Sequence, residues 1–342
     1  MKDKTIQQKN SSIEFYRFLF TIVICLHHST MFIGEQSWLK HGYICVEFFF
    51  ILSGYFLYNS FSKEKAHSTT KYVLKRVERL WPEYAVAAIL AILSRGVFLN
   101  DFNLSKAINE LLMVRNTGLF RLGGYNYPTW YIPVMFVCGI FIYGMLTVWN
   151  TQYKRIIAPF IILIGYTYIW GLETGIENWQ YTAFFSIPMI RGMCGMSIGV
   201  LIGAFVDGES FSIINKFSAT VIELVSLVFI VVGITTNMVD DMVTIVAFSS
   251  LVLVTVKQSG CLSNLLSKMN IWNKLGKYTY SVYLNHAVII YVLKYVNENI
   301  FTITPVLQIP IMIFAIGLYS VVANRIIWAF VKLLKGKNKI KG

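Results

Sequence analysis

The sequence predicts an all-α membrane protein, a polytopic bundle of about ten transmembrane helices with both termini in the cytoplasm. Three observations support this fold class. Of 342 residues, 56% are hydrophobic and only 14% are charged, whereas soluble domains have about 25% charged residues. Apolar segments recur along the whole chain, and a helix of roughly 20 such residues spans a bilayer. Lysine and arginine collect in every second connection between these segments.

The apolar segments follow one another with short polar connections. They cover residues 13–33, 41–60, 80–98, 128–149, 156–171, 182–206, 211–234, 241–256, 278–297 and 305–331. The fifth and eighth are short, and the last is long enough to tilt or to end along the membrane surface. Ten helices of about 20 residues use about 200 residues. Little remains for a large soluble domain, so we expect one membrane domain over residues 1–342.

The positive charges orient the bundle. With the N-terminus inside, the predicted cytoplasmic connections hold 21 of the 30 Lys and Arg residues, and the outer connections hold 4. Lys and Arg are enriched on the cytoplasmic side of membrane proteins. The split therefore predicts an even number of spans and a multi-pass protein of the plasma (inner) membrane. The same rule explains the net charge of +13, so membrane lipids, and not nucleic acid, are the expected partners.

The cysteines indicate neither a disulfide framework nor a metal site. The chain has five isolated cysteines, four of them in apolar segments and none in a Cys-x-x-Cys pair, so we interpret them as small core residues. The N-terminal residues are polar and basic, and the apolar run that follows lacks a small-residue cleavage signal. We therefore expect a retained first span and no bound metal.

The first predicted span contains ionisable residues within an apolar run, 17-RFLFTIVICLHHS-29. Ionisable residues inside a membrane are costly and commonly functional. Arg17 and His28 are separated by about three turns and 20°, so they share a face, about 16 Å apart along the helix. His27 points about 100° away. The pattern predicts that His28, and not His27, lies on the same path as Arg17.

Two further spans bring polar groups to the depth of His28. Glu47 enters the second span from the outer side, and a carboxylate can orient a histidine or raise its basicity. His286 lies near the middle of the ninth span and can face His28. Arg191 and Glu223 are also intramembrane, and the sequence assigns no partner to either.

The cytoplasmic end of the third span is basic. Lys75, Arg76 and Arg79 lie within about one helical turn, and Arg76 and Arg79 share a face, where they can clamp phosphates. Anionic lipid headgroups offer an alternative ligand for the same cluster. At the start of the fourth span, Trp130 and Tyr131 are interpreted as part of an aromatic belt at the outer interface.

Four short motifs occur in order along the chain. They are Arg17 with His28 after ten intervening residues, 47-EFFFILSG-54, 76-RVER-79 and 280-YSVYLNH-286. Together they resemble the acyltransferase-3 superfamily of integral membrane acyltransferases, whose usual work is O-acetylation of surface polysaccharides. Longer relatives append a periplasmic hydrolase-like domain, and this chain resembles the short, membrane-only form.

The resemblance implies roles for individual residues. It implies that His28 is catalytic, with Glu47 and His286 in support. It also implies that Arg17, Arg76 and Arg79 hold an acyl-coenzyme A donor, expected to be acetyl-CoA. Lys75 belongs to the same basic cluster, and we include it in the predicted donor site. The implied acceptor is a hydroxyl of a cell-surface or lipid-linked polysaccharide, and the polysaccharide-synthesis machinery is an expected partner.

The chemistry that fits these residues is general base catalysis. A neutral His28 takes a proton from a sugar hydroxyl as the hydroxyl attacks the thioester carbonyl. An acyl-histidine intermediate remains an open alternative. Ser53, Arg191 and Tyr283 are the candidates for stabilising the oxyanion.

Two other functions also fit an intramembrane set of charged residues. One is a transporter or flippase of lipid-linked sugars or polysaccharide, with these residues lining a substrate or proton path. The other is a structural partner of a polysaccharide synthase without chemistry of its own. Binding of coenzyme A at residues 71–84 distinguishes an enzyme from a transporter, and a silent His28→Ala substitution is expected only for the structural partner.

Overall fold

The described part of the chain is helical. The computed structural model describes residues 10–34, 39–119, 123–177, 180–182, 185–208 and 214–338, and these contain no β-strand. The helices are α1 (Ser11–His28), α2 (Thr30–Ile33), α3 (Cys45–Lys63), α4 (Thr69–Phe98), α5 (Leu104–Leu111), α6 (Tyr131–Gln152), α7 (Ala158–Trp170), α8 (Ile187–Asp207), α9 (Lys216–Thr235), α10 (Asp241–Val256), α11 (Cys261–Ser267), α12 (Ile271–Gly276), α13 (Thr279–Asn299) and α14 (Pro305–Asn338).

Each of the ten predicted segments coincides with a helix. Among the described residues, six helical stretches are long and apolar enough to cross a membrane, or seven if α10 and α11, bent by 54°, form one span. Helices α1 and α13 are not among the six because polar site residues lower their hydropathy. The all-α membrane fold is confirmed, and the count of ten spans stays a prediction. The termini, residues 1–9 and 339–342, lie outside the described residues.

Helix α4 begins much earlier than the sequence predicts. It starts at Thr69 and not near residue 80, because Ser68 caps it by accepting a hydrogen bond from the Lys71 N–H group at 3.3 Å. The hydropathy pattern misses this start since the first three turns are polar. Consequently Arg76 and Arg79 stand on one continuous helix that leads into the membrane.

Helices α3 and α8 cross with their backbones in contact. A Cβ atom added to Gly54 would lie 1.9 Å from the Met196 carbonyl oxygen, and one added to Gly199 would lie 1.9 Å from the Ile51 carbonyl oxygen. Only glycine permits this approach, which is the way helices associate without a hydrophobic driving force. The close crossing places the polar residues of both helices within hydrogen-bonding distance.

The N-terminal end of α1 is fastened to α10 and α11. The Asn10 side chain caps α1 and donates to the Thr255 carbonyl oxygen at 3.0 Å, and the Ser12 hydroxyl donates to the Ser263 carbonyl oxygen. Glu223, which the sequence leaves without a partner, accepts hydrogen bonds from the Ser263 hydroxyl and from two backbone N–H groups at the start of α11. These bonds set the depth of α1 in the bundle.

The connection between α4 and α6 folds back into the bundle. Its anchor is Glu110, which is fully buried. The Glu110 carboxylate accepts hydrogen bonds from the Tyr125 N–H group at 2.9 Å and from the Thr129 hydroxyl at 2.8 Å. The Asn126 side chain then donates to the Leu284 carbonyl oxygen at 2.9 Å. The start of α6 is therefore held against α13.

The predicted orientation can be tested with a native cysteine. Cys261 is exposed, whereas the other four cysteines are buried, and it lies in a connection predicted to be cytoplasmic. We expect a membrane-impermeant maleimide to label the protein only after cells are permeabilised, and Cys261→Ser to abolish labelling. Met238, 86% exposed in a predicted outer connection, supplies the control, because Met238→Cys should be labelled in intact cells. Labelling of Cys261 in intact cells would reverse the orientation.

Candidate active site

Two histidines from distant helices meet inside the bundle. The Nδ1 atom of His28, at the end of α1, lies 3.1 Å from the Nε2 atom of His286 on α13. The rings are nearly parallel, at 16°, with centroids 5.3 Å apart. His286 is fully buried and His28 is half-buried. The expectation that His286 faces His28 is confirmed.

The surroundings of His286 determine the proton positions in this pair. Its Nδ1 atom lies 2.7 Å from the Tyr283 carbonyl oxygen, which can only accept, so Nδ1 of His286 carries the proton. In a neutral ring Nε2 of His286 is then an acceptor, and the Nδ1–H group of His28 donates to it. This tautomer leaves a lone pair on Nε2 of His28.

The two histidines that end α1 have different surroundings. The Nδ1 atom of His27 lies 3.0 Å from the Leu39 carbonyl oxygen, on the segment that precedes α3. The Tyr127 ring packs against His28 at 5.0 Å between centroids, and its hydroxyl donates to the His28 carbonyl oxygen at 3.0 Å. The structure therefore brings His28, and not His27, to His286.

A cavity of about 960 Å³ lies between α1, α3, α4, α6, α13 and the C-terminal part of α14. Its mouth is formed by exposed or half-buried polar residues, and its deep end by largely buried ones. The mouth includes Ser60, Lys63, Glu64, Arg76, Arg79 and Lys277, and the deep end includes Thr21, Tyr131, Ile132, Met135 and Tyr283. The mouth lies where α3 ends and α4 and α13 begin, which is the side predicted to be cytoplasmic.

Ring contacts connect the deep end of the cavity to the histidines. Tyr131 and Tyr283 have centroids 5.9 Å apart, Tyr283 and His286 are 5.8 Å apart, and His286 stacks on His28. Among the described residues that line the cavity, His28 itself does not occur. The prediction that His28 lies on the same path as Arg17 is therefore not confirmed, because the cavity that Arg17 lines borders Tyr283, and the Tyr283 ring contacts His286, the partner of His28.

The predicted donor-binding residues are divided between the cavity and its rim. Arg17, Arg76 and Arg79 all line the cavity. Arg17 donates to both carboxylate oxygens of Glu14, at 2.8 and 3.0 Å. Lys75 is not among the described lining residues, because its ammonium group turns to Glu64 at 2.8 Å.

The carboxylates that line the cavity already have partners. Glu14 holds Arg17, and the hydrogen bond from Lys75, with a second from Tyr143, keeps the pKa of Glu64 below its ordinary value. Glu83 accepts hydrogen bonds from Ser281, Asn324 and Trp328. No ion pair in the described part of the chain involves the cations Lys63, Arg76, Arg79 and Lys277. The mouth therefore has unpaired positive charge and favours an anionic ligand.

Glu47 does not pair with His28, which corrects the sequence interpretation. Its carboxylate is fully buried, lies 2.8 Å from the Arg191 Nε atom, and accepts a hydrogen bond from Tyr166 at 2.9 Å. The Arg191 guanidinium in turn lies 5.0 Å above the Trp130 ring. The sequence places Glu47 and His28 at a similar depth in the membrane, but depth does not show which neighbouring helix a side chain faces. The Glu47 side chain faces α8. Glu47 is thus placed to position helices, and its predicted role in catalysis stays untested.

Aromatic residues at the start of α6 lie inside the bundle and not in a belt at the lipid interface. Trp130 is 4% exposed and Tyr131 is 7% exposed. The Tyr131 hydroxyl lies 2.8 Å from the Ser53 hydroxyl and donates to the Phe49 carbonyl oxygen at 3.0 Å. Sequence reasoning missed Tyr131 as a cavity residue because a tyrosine at a span end is typical of interfaces.

The three candidates for oxyanion stabilisation occupy different positions. Ser53 lines the cavity beside Tyr131. The Tyr283 hydroxyl donates to the Pro128 carbonyl oxygen, and Arg191 is held by Glu47. Ser53 and Tyr283 both line the cavity, whereas Arg191 is not among the described lining residues. Within the described residues, no group of three His, Cys, Asp or Glu side chains could hold a metal ion.

Comparison with known proteins identifies the family. A family model described as an acyltransferase domain matches residues 10–325, a range that contains all four motifs. The chain belongs to the acyltransferase-3 superfamily. Neither the curated proteins nor the solved structures give a match. The acyltransferase-3 assignment and the apolar helices together make the chain a multi-pass membrane protein of an acyltransferase family.

The role of Glu47 can be tested with a double-mutant cycle. Glu47→Leu and Arg191→Met should each destabilise the protein by about 3–5 kcal/mol, because each leaves an unpaired buried charge. The double variant should lose less than the sum of the two. Unfolding in detergent measures these changes. The control is the pair of half-buried Lys294 and exposed Glu298, 3.8 Å apart, with about 1 kcal/mol or less per substitution. Additive losses would contradict the pairing.

Proposed function

We propose that the protein transfers an acyl group, acetyl in the first instance, from cytosolic acyl-CoA to a hydroxyl of a cell-surface or lipid-linked polysaccharide at the plasma membrane. The observation that carries the proposal is the arrangement of the cavity. Cations without a carboxylate partner among the described residues stand at its mouth, and its deep end is lined by Tyr283, whose ring contacts His286, the partner of His28. A phosphorylated carrier with a long flexible arm matches both features.

The charged end of the donor fits the mouth of the cavity. Arg76 and Arg79 lie one turn apart on α4, and both line the cavity without a carboxylate partner in the described part of the chain. Guanidinium groups bind phosphate oxygens with paired hydrogen bonds. Arg17 lies further in and is held by Glu14, so we assign it to the part of the donor that continues toward the deep end. Lys75 acts through Glu64 and keeps that carboxylate from the phosphates.

His28 is the proposed base. Its Nε2 lone pair takes the proton of the acceptor hydroxyl while the hydroxyl oxygen attacks the thioester carbonyl carbon. When the carbon–sulfur bond breaks, the coenzyme A thiolate leaves and the proton on His28 passes to its sulfur. His286 is a positioning residue in this scheme, because its hydrogen bond holds the tautomer that presents Nε2.

The deep end of the cavity holds the reacting carbonyl. It is lined by Thr21, Phe49, Ser53, Tyr131 and Tyr283, which are mainly aromatic or hydroxyl-bearing. In the proposed step the Ser53 hydroxyl, which donates to the Tyr131 oxygen in this structure, turns to donate to the developing oxyanion. Few charges lie there, so a neutral thioester is accommodated while water is largely excluded.

Replacement of the proposed base tests the proposal directly. His28→Ala should lower acyl transfer by about 10³-fold or more, because it removes the proton acceptor. Transfer of radiolabelled acetyl from acetyl-CoA to membrane glycan measures the change. Membrane insertion should be unchanged, and the melting temperature in detergent should fall only modestly, because the buried Nε2 atom of His286 loses its hydrogen-bond partner.

The adjacent histidine is a matched control. His27→Ala removes an imidazole one residue away whose bond goes to Leu39, so it should cost much less activity than His28→Ala. Equal losses, or a greater loss for His27→Ala, would contradict the assignment of His28. Wild-type protein that moves glycan but does not transfer acetyl would favour the transporter alternative.

The hydrogen bond from His28 to His286 predicts that different substitutions of His286 lower acyl transfer to different extents. His286→Ala should lower kcat by about 10²-fold or more, with the KM for acetyl-CoA nearly unchanged, because His28 loses its acceptor. His286→Gln keeps an acceptor near the Nε2 position and should recover part of the activity. The kcat and KM values of both variants measure this, and equal activities of the two would contradict the positioning role.

A further inference from the structure

The part of the cavity wall that α3 forms has a distinct composition. One face of α3 lines the cavity over about its last two turns, with Phe56, Asn59, Ser60 and Lys63 at the spacing of a single helical face. Gln258, in the connection after α10, lines the same cavity. This wall offers an aromatic ring and two side-chain amides, whereas the α4 wall offers guanidinium groups.

The two amides of this wall have no protein partner in the described residues. Most other cavity or core amides are engaged, as when Asn324 donates to Glu83 and Asn126 donates to Leu284. No hydrogen bond of the side chains of Asn59 or Gln258 occurs within the described part of the chain. Both are half-buried, so their amide groups are available to a ligand in the cavity.

The backbone places Gln258 specifically. Its φ angle of +55° is in the left-handed region, and its N–H group donates to the Thr255 carbonyl oxygen at 3.0 Å. This geometry ends α10 at the cavity and is unusual for a residue other than glycine or asparagine. A glycine there would end the helix with less strain, but it would lack the amide.

We propose that Phe56, Asn59 and Gln258 form a subsite for the nucleobase of the donor. Asn and Gln amides recognise the edge of adenine with paired donor and acceptor bonds, and an exposed aromatic ring provides a face for stacking. Phe56 is 39% exposed and lines the cavity. The subsite rests on the proposed function, since acyl-CoA is the donor whose adenosine it would hold.

The cations complete the fit of a nucleotide. Arg76 and Arg79 lie on the α4 side and Lys63 on the same helix as Phe56 and Asn59. A nucleotide has an uncharged planar base at one end and phosphates next to it, so it needs an amide and aromatic wall beside a cationic one. A lipid headgroup with the same phosphate has no base, and it would leave the amides of Asn59 and Gln258 unused.

The test compares coenzyme A with 4′-phosphopantetheine, which lacks the adenosine and two of the three phosphates of coenzyme A. A wild-type preference for coenzyme A therefore reports on the base and these phosphates together, and the subsite variants isolate the contribution of the base. Binding of coenzyme A and of 4′-phosphopantetheine to the full-length protein in nanodiscs is measured by calorimetry. The wild type should bind coenzyme A more tightly by at least about tenfold. Asn59→Ala and Gln258→Met should each weaken coenzyme A binding by up to about tenfold, the effect of one hydrogen bond. Neither variant should change binding of 4′-phosphopantetheine.

Substitutions of Phe56 test base stacking, and substitutions of two amides outside the cavity serve as controls. Phe56→Leu should weaken coenzyme A binding by about tenfold, and Phe56→Tyr should retain it. Asn150→Ala and Gln152→Met remove amides of exposed residues at the end of α6 that do not line the cavity, so they should bind both ligands as the wild type does.

The outcomes separate this subsite from the proposed function. If the wild type binds coenzyme A and the three subsite variants bind it equally well, the nucleobase subsite is wrong and the donor proposal stands. Equal losses for coenzyme A and 4′-phosphopantetheine would also overturn the subsite, because they would indicate general damage to the cavity. If the wild type binds neither ligand, the acyl-CoA donor itself is wrong.

Discussion

The hydrogen bond between His28 and His286 is the contact on which the site depends. It joins residues 258 positions apart, and it forms in a bundle interior where an unpaired ring nitrogen would be costly. The Tyr283 carbonyl oxygen can only accept a hydrogen bond. It therefore fixes the direction of two hydrogen bonds: from His286 to Tyr283, and from His28 to His286. The hydrogen bond thereby leaves a lone pair on Nε2 of His28, the atom that takes the proton in the proposed mechanism.

A buried charge is costly without a partner, and the charged residues of the bundle fall into two groups, those paired in the interior and those at the cavity mouth. Glu47 pairs with Arg191, and Glu110 with its donors, in the buried interior. The first pair holds α3 against α8, and Glu110 holds the start of α6. The cations at the cavity mouth remain unpaired among the described residues. The buried ion pair of Glu47 and Arg191 thus holds two helices together, whereas the cations without a carboxylate partner line the cavity, where a ligand can reach them.

The sequence predicts some site residues well and others poorly. Helical periodicity separates His28 from His27 because both lie on one regular helix, where angular position follows from residue number. It fails for Glu47, since depth along α3 says nothing about rotation relative to α1, and the carboxylate faces Arg191 on α8. The sequence does not predict the contact of Tyr127 with His28 or the position of Tyr131 in the cavity. The connection between α4 and α6 folds back into the bundle, and no local sequence pattern indicates this.

By itself, the sequence determined that this chain is an all-α membrane protein of the acyltransferase-3 superfamily, because hydropathy and the four motifs are local properties that each segment carries alone. Only the tertiary structure decided which buried groups meet: His28 with His286, Glu47 with Arg191, and Glu64 with Lys75. The physical reason is that partners are chosen by helix rotation and close packing, as at Gly54 and Gly199, and these depend on all neighbouring helices at once.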